Sequence, residues 1–384
     1  MSYGVFLVNL GSPESTSTSD VRGYLREFLS DDRVLDSPKI IQQFVLNFLI
    51  LPKRPAESAH AYKSIWTDEG SPLVVSTFRQ AELLREVVDI PVVVGMRYGQ
   101  PSTRQGLEDL QKQGVKKILL IPLYPHYAMS SFETAVVKVQ QELEKMGSPM
   151  ELTTQAPFYK DEDYIEALVD YSLTQLPEDY DLLLFSYHSI PEHHLYKPDP
   201  VGHCLASQDC CSTPSPCHAF CYRAQVFETT RRFVERAKIP KDKWKISFQS
   251  RLGRRPWLTP RTENVFEELP SQGYKNIAVI SASFISDCLE TLEELDIRGQ
   301  DTFMKAGGES YTAIRCLNED EGWIGVLKRM VDDFTNEKTQ EAKLAATAEY
   351  GFSAWLKRLF SSSGKAPQPR LNSPKSTDIP SGLV

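Results

Sequence analysis

The chain has 384 residues, 41% of them hydrophobic and 24% charged, which is enough to bury two ordinary domain cores and too apolar for a disordered chain. Its 43 Lys and Arg stand against 51 Asp and Glu, a net charge of −8 with no basic block, so the footprint expected for sequence-independent nucleic-acid binding is missing and no nucleic-acid partner is expected.

The N-terminus has no basic region ahead of a short apolar core, so it does not read as a secretory signal and a cytoplasmic protein is expected. VFLVNL, residues 5–10, is an apolar run ended by Gly11, Ser12 and Pro13, the pattern of a buried parallel strand entering a loop. IIQQFVLNFLIL, residues 40–51, is interrupted by Gln42, Gln43 and Asn47 and falls short of the roughly 20 residues that span a bilayer; in most soluble proteins it would be a core helix. The strand pattern returns at 91–98, 116–124, 181–189, 243–250 and 275–283, with helical stretches between, and this alternation predicts an α/β fold with parallel sheets flanked by helices. GVKKILLI from Gly114 and GYKNIAVI from Gly273 share a frame, and each precedes a Glu-Thr pair, at Glu133-Thr134 and Glu290-Thr291. Either two related halves or chance explains this.

Length and pattern suggest an N-terminal domain over 1–150 and a C-terminal domain over 151–318 with a Cys-rich insertion at 203–221. A helix over 319–345 is expected to pack back on the first domain. Residues 346–384 read as an amphipathic segment and a disordered tail. In that segment Phe352, Trp355, Leu356, Leu359 and Phe360 make one apolar helical face, suited to docking on the protein or lying in a membrane interface.

Ligands of open α/β sheets collect beyond the carboxyl ends of the strands, which directs attention to Asn9–Pro13, Arg97, Tyr98, Tyr124–Tyr127, His188, Gln249–Arg251 and Ser283–Glu294. His188 ends a buried run; on position alone it is a structural histidine or a proton-transfer group. Asp287, Glu290 and Glu294 form an acidic stripe at a helix start, which either complements the helix dipole or takes up protons or a hard cation. No GxSxG, GxGxxG or GxxxxGK[ST] motif is present, so nothing calls for a nucleotide. Cys204, Cys210, Cys211, Cys217 and Cys221 are dense enough to imply a soft metal, either zinc or an iron-sulfur cluster, with His203 or His218 as substitute ligands.

LLLFSYHSIP, FQSRLGRRPWLTP and SDCLETLEELDI, in that order, resemble the signature segments of the ferrochelatases, as do VNLGSPES, AYKSIWTDEGSPL, GMRYGQPS and LYPHYAMSS. The resemblance runs from about residue 4 to about 330. It implies two Rossmann-like, chelatase-like domains with the active-site cleft between them, and insertion of Fe2+ into protoporphyrin IX to give protohaem and two protons. By the same resemblance His188 is the base, Glu290 faces it across the ring, and the iron substrate passes between these two. Asp287 and Glu294 match an acidic relay. Tyr62, Arg97, Tyr98, Tyr124, Tyr127, Trp257 and Phe284 match positions lining the porphyrin cleft, with Arg97 and Arg251 as candidate partners of the propionates.

Cys288 stands where animal-type members have histidine, so no second histidine is required here. A bacterial subgroup shares the HC, CC, CYRAQ pattern, which implies a 2Fe-2S cluster on Cys204, Cys210, Cys211 and Cys221 with Cys217 spare. Residues 40–51 resemble the apolar lip of the cleft, which implies peripheral contact with the inner face of the cytoplasmic membrane. The assembly is expected to be a monomer or a homodimer. The alternatives are a chelatase for another metal or tetrapyrrole, such as cobalt or coproporphyrin III, and a non-catalytic haem or iron-sulfur sensor on the same fold.

Overall fold

The computed structural model describes residues 2–199, 201–253 and 255–336. Two four-stranded sheets are formed, both wholly parallel. The first contains β1 (Tyr3–Asn9), β2 (Val92–Met96), β3 (Lys117–Pro122) and β4 (Glu151–Thr154), in the order β2-β1-β3-β4. The second contains β5 (Leu182–His188), β6 (Trp244–Gln249), β7 (Asn276–Ile280) and β8 (Ser310–Ala313), in the order β6-β5-β7-β8. Continuous Val, Ile and Leu runs suit the inner strands, because helices cover both faces of such a sheet and leave no solvent side for polar residues. Thus β5 is buried at every residue except His188, at its carboxyl end.

The two sheets follow the same path. The similar segments found in the sequence become β3 and β7, each third in its sheet and each beginning three residues after a glycine in the left-handed region, Gly114 at φ +74° and Gly273 at φ +95°. Their Glu-Thr pairs fall in wide π-type turns, one over Met129–Glu133 leading into Thr134–Lys145 and the other over Glu290–Gly299. Equal placement and equal local geometry favour two related halves over coincidence.

The halves share a core: Val5 and Leu7 of β1 belong to the same buried cluster as Leu183 and Phe185 of β5. Helix Glu321–Thr335 contributes Trp323, Leu327, Met330 and Phe334 to it. This helix lies against helix Pro72–Val87 of the first half and helix Glu162–Leu173 of the second. Trp323 is fully buried, stacks on Phe158 at 5.5 Å, and donates its indole N–H to Gln80 Oε1 at 2.9 Å. The expected continuation to 345 and the amphipathic segment with Phe352, Trp355, Leu356, Leu359 and Phe360 lie outside the described residues.

Residues 39–50 depart from a core helix. Helix Lys39–Phe44 runs directly into π-type turns over Val45–Ile50, and the apolar face points outward, with Ile40 87%, Phe44 56%, Phe48 68% and Leu49 63% exposed. The polar interruption Gln42 is buried instead, its amide donating to Leu35 O at 3.0 Å, while Leu46 and Leu51 anchor the segment. No helix of the described residues is long and apolar enough to cross a membrane.

Removing the Trp323 ring opens a cavity where the halves meet and leaves Gln80 Oε1 unpaired. Trp323→Ala is therefore expected to lower stability by about 3–5 kcal/mol, and Trp323→Phe by about 1–2 kcal/mol, in urea denaturation followed by far-ultraviolet circular dichroism.

Candidate active site

The carboxyl ends of the strands bring the candidate groups to one place. His188 Nδ1 lies 2.6 Å from the carbonyl oxygen of Ser189. A carbonyl only accepts, so Nδ1 carries the proton and the neutral ring keeps its lone pair on Nε2, the form a base needs. Phe284 meets the ring edge-on at 6.5 Å. The main-chain carbonyl of His188 accepts from the Tyr222 hydroxyl at 2.9 Å, and that hydroxyl also pairs with Ser283 Oγ at 2.9 Å.

Two residues at the end of β6 position the carboxylates. Gln249 accepts from Ser186 Oγ at 2.8 Å and donates to the main-chain oxygen of Glu290 at 2.8 Å. Ser250, at φ +60°, turns its hydroxyl onto Glu294. Burial, and next the charge of Glu290, push the Glu294 carboxyl above its usual range against the opposing pull of Ser250, His188 and Arg298. His188, Glu290 and Glu294 are thus electrostatic neighbours. The buried Cys288 thiol hydrogen-bonds Glu290 and is held well above its ordinary pKa, first by burial and then by that carboxylate, so it stays a thiol.

Asp287 does not join the stripe expected from its spacing. It precedes the helix, and its oxygens are taken up by Thr291 Oγ1 at 2.9 Å, Asn318 Nδ2 at 2.8 Å and the Cys316 N–H at 3.4 Å. An aspartate held by these local donors fixes the entry to the helix.

The first half supplies the opposite wall. Leu289 and Leu292 pack against Val21, Ala59, Tyr62 and Ile65, which closes helix Glu290–Gly299 onto helix Arg54–Ile65. Burial, followed by the Glu290 charge, raises the pKa of Tyr62, and the neighbouring Tyr24 hydroxyl donates to the Gly11 carbonyl at 3.2 Å. Tyr24 feels Tyr62, Glu290, Tyr98 and Tyr124 together, so four phenols gather opposite the carboxylates. Gly11 makes this approach possible: at φ +99°, a Cβ there would sit 1.8 Å from the Tyr98 carbonyl oxygen. Among the buried polar atoms without a partner in the described residues are the Ser12 and Tyr124 hydroxyls and Trp257 Nε1. Buried polar groups left open mark places where a ligand completes the bonding.

Three predicted lining residues are placed as follows. Arg97 pairs with Asp31, donates to Thr134 Oγ1 at 2.7 Å and lies 4.1 Å over the Tyr98 ring, so its guanidinium is committed inside the protein rather than open to a propionate. Tyr127 is buried against Phe132 and Phe220 with its hydroxyl on Glu133, which pairs with Arg33 at 2.8 Å; it belongs to the core behind the wall. Arg251 is exposed and donates to the Arg255 carbonyl at 3.3 Å, with no acidic partner among the described residues. Sequence reasoning missed Tyr24 and Asp31, which lie in helical and turn segments without a chemical signature. It reached Gln249 and Ser250 only through their place at a strand end.

The insertion folds its five reduced cysteines into one group. Cys204 Sγ lies 3.6 Å from Cys217 Sγ, and Cys210 Sγ lies 3.9 Å from Cys211 Sγ. The neighbouring Cys204 and Cys211 hold the Cys221 thiol below the ordinary range. Arg223 Nη1 reaches Cys211 at 3.2 Å and Cys210 at 3.8 Å. Buried sulfurs converging beside a guanidinium fit a soft metal or an iron-sulfur cluster, whose thiolates need neutralising charge. Cys217 also has His203 and His218 beside it, with ligand atoms within 4.8 Å of one another.

The ferrochelatase family model matches residues 2–334. The ferrochelatase of Opitutus terrae is 49% identical over 331 residues, covering 85% of this chain and 96% of its own, and that of Pseudomonas putida is 46% identical over 333 residues, covering 86% and 98%. Among solved structures, SirB from Bacillus subtilis with Fe3+ aligns with a TM-score of 0.47 at 13% identity, over 87% of this chain and 95% of that one. A family match over nearly the whole described chain, with relatives this similar along almost their full length, means that the chain belongs to the ferrochelatase family.

Proposed function

We propose that this chain inserts ferrous iron into protoporphyrin IX, releasing two protons and forming protohaem. The observation that carries the reading is the convergence of His188 at the end of β5 with the Glu290–Glu294 pair, opposite a wall of buried phenols. Metallation needs a rigid apolar clamp for the macrocycle, a base for pyrrole N–H, and carboxylates that replace the water leaving the iron. Tyr62, Tyr124, Trp257 and Phe284 supply the clamp, and the open hydroxyl of Tyr124 and indole N–H of Trp257 point to the bound ligand as their missing partner. His188 Nε2 takes one pyrrole proton, and iron is received between His188 and Glu290.

The second proton goes to the carboxylate pair. Because burial and the Glu290 charge favour the protonated form of Glu294, the pair holds a proton that an isolated carboxylate would have lost. The Glu294 side chain keeps 19% of its surface exposed beside Arg298, so solvent water can take that proton from it directly. The relay is therefore Glu290 to Glu294, with Asp287 as its structural support. Arg251 is the remaining guanidinium for a propionate.

Cys204, Cys210, Cys211 and Cys221 would hold a 2Fe-2S cluster, with Arg223 offsetting its negative charge. Such a centre supplies reversible one-electron chemistry and folding free energy when bound. The outward apolar face of residues 40–49 lies beside the cleft: Asp36, just before it, pairs with His193 at 3.3 Å, five residues beyond His188. We place this face in the surface of the cytoplasmic membrane, from which an apolar porphyrin reaches the cleft without crossing water.

His188→Ala is expected to lower the anaerobic rate of iron insertion at least about a hundredfold with circular dichroism unchanged; a folded variant of wild-type rate would overturn the assignment. Anaerobically purified protein should contain iron and acid-labile sulfide in equal amounts and lose both in Cys211→Ala, whereas zinc without sulfide would refute the cluster. Replacing Phe44 and Phe48 by Ser removes two rings whose burial is worth about 3 kcal/mol together, so binding to neutral phosphatidylcholine liposomes should weaken about a hundredfold. Undiminished co-sedimentation would move the membrane contact elsewhere.

A further inference from the structure

The first turn of helix Tyr222–Arg236 joins two places that the mechanism treats separately. Cys221 is the N-cap of this helix and is buried in the same cluster as Cys204 and Cys217. The next residue, Tyr222, is 5% exposed and donates to the main-chain oxygen of His188 at 2.9 Å. Its hydroxyl also pairs with Ser283 Oγ at 2.9 Å, and Ser283 precedes the Phe284 ring that meets His188 edge-on. Arg223 turns back to the sulfurs of Cys210 and Cys211. Gln225 accepts from the Tyr127 N–H at 2.7 Å, in the loop that carries Tyr124, and donates to the carbonyls of His218 at 3.1 Å and Ala219 at 2.9 Å inside the insertion.

We infer that Tyr222 is a positioning residue for His188, and that through it the state of the cysteine centre sets where the imidazole stands. The geometry supplies a short rigid lever. Sulfur positions fix the helix start, because Arg223 holds the sulfurs of Cys210 and Cys211 and Gln225 holds two carbonyls of the insertion. The helix start fixes the Tyr222 hydroxyl, and the hydroxyl holds the last carbonyl of β5 together with the Ser283–Phe284 turn. A closed centre keeps both walls of the imidazole in register. An empty one lets the first helical turn relax, and a small displacement of a reacting group is enough to cost rate without loss of binding.

The lever rests on the chelatase reading for its effect on rate, but not for its effect on mobility. Tyr222→Phe keeps the ring and removes only the hydroxyl, so the fold should persist, as a thermal melt would verify. In this variant kcat for iron insertion is expected to fall about tenfold while KM and the equilibrium affinity for metal-free porphyrin stay within twofold. Amide hydrogen exchange over residues 187–191 should accelerate at least fivefold, both in Tyr222→Phe and in wild-type protein stripped anaerobically with an iron chelator. Stripping should add nothing further in Tyr222→Phe. If stripping speeds exchange equally with and without the hydroxyl, or if Tyr222→Phe exchanges and turns over like wild type, the lever is refuted. If wild-type protein binds porphyrin but never metallates it, the proposed reaction fails, and the exchange comparison alone still confirms or overturns the link.

Discussion

One buried amide holds the two halves in register. Gln80 is completely enclosed, and its side chain accepts from the Trp323 indole at 2.9 Å while donating to Ser286 Oγ at 2.8 Å and Ser76 Oγ at 3.2 Å. These contacts come from the helix of the first half, the closing helix and the turn before Glu290. A buried amide whose partners are removed pays heavily in desolvation, so a packing that brings all three elements together is strongly preferred to one that slides them. The facing of Glu290 and Tyr62 across the cleft depends on that register, since neither half contains both walls.

The parallel architecture was legible because inner strands of covered sheets are written as unbroken apolar runs, and the carboxyl-end rule then pointed to His188, Gln249, Ser250 and Tyr124 before any contact was known. What was hidden depends on partners remote in the chain. Arg97 looks the same in sequence whether it meets a ligand or Asp31, and 66 residues separate that pair. Tyr127 and Tyr124 sit three apart on one loop and pack on the same cluster, yet the Tyr127 hydroxyl meets Glu133 while that of Tyr124 is left open. The place of Asp287 was hidden because helical spacing was extended one turn too far. The helix begins after it, and Thr291 and Asn318 claim its oxygens.

The repeated path of the two sheets throws their differences into relief. Both third strands lead through a loop into π-type turns opened or closed by a Glu-Thr pair, but Glu133 is paired with Arg33 and hydrogen-bonded by Tyr127, whereas Glu290 stands beside a second carboxylate, Glu294. The same backbone device thus serves as a buttress in one half and gathers acidic groups in the other. The insertion after β5 has no counterpart of its kind after β1. It packs Phe220 into the core of the first half and its thiols beside the second, which adds a seam where the repeat alone provides none.

The strand order also governs how the chain can be made. β1 lies inside its sheet, paired with β2 at Val5↔Val92 and with β3 at Tyr3↔Lys117. Emerging first from the ribosome, it has no neighbour until about ninety residues have followed, and the slot for Trp323 stays empty until the last described helix is made. Nascent chains therefore expose an aggregation-prone apolar strand for many seconds at ordinary elongation rates. The order of synthesis, and not only the stability of the finished fold, thus sets how long the apolar strand stays uncovered.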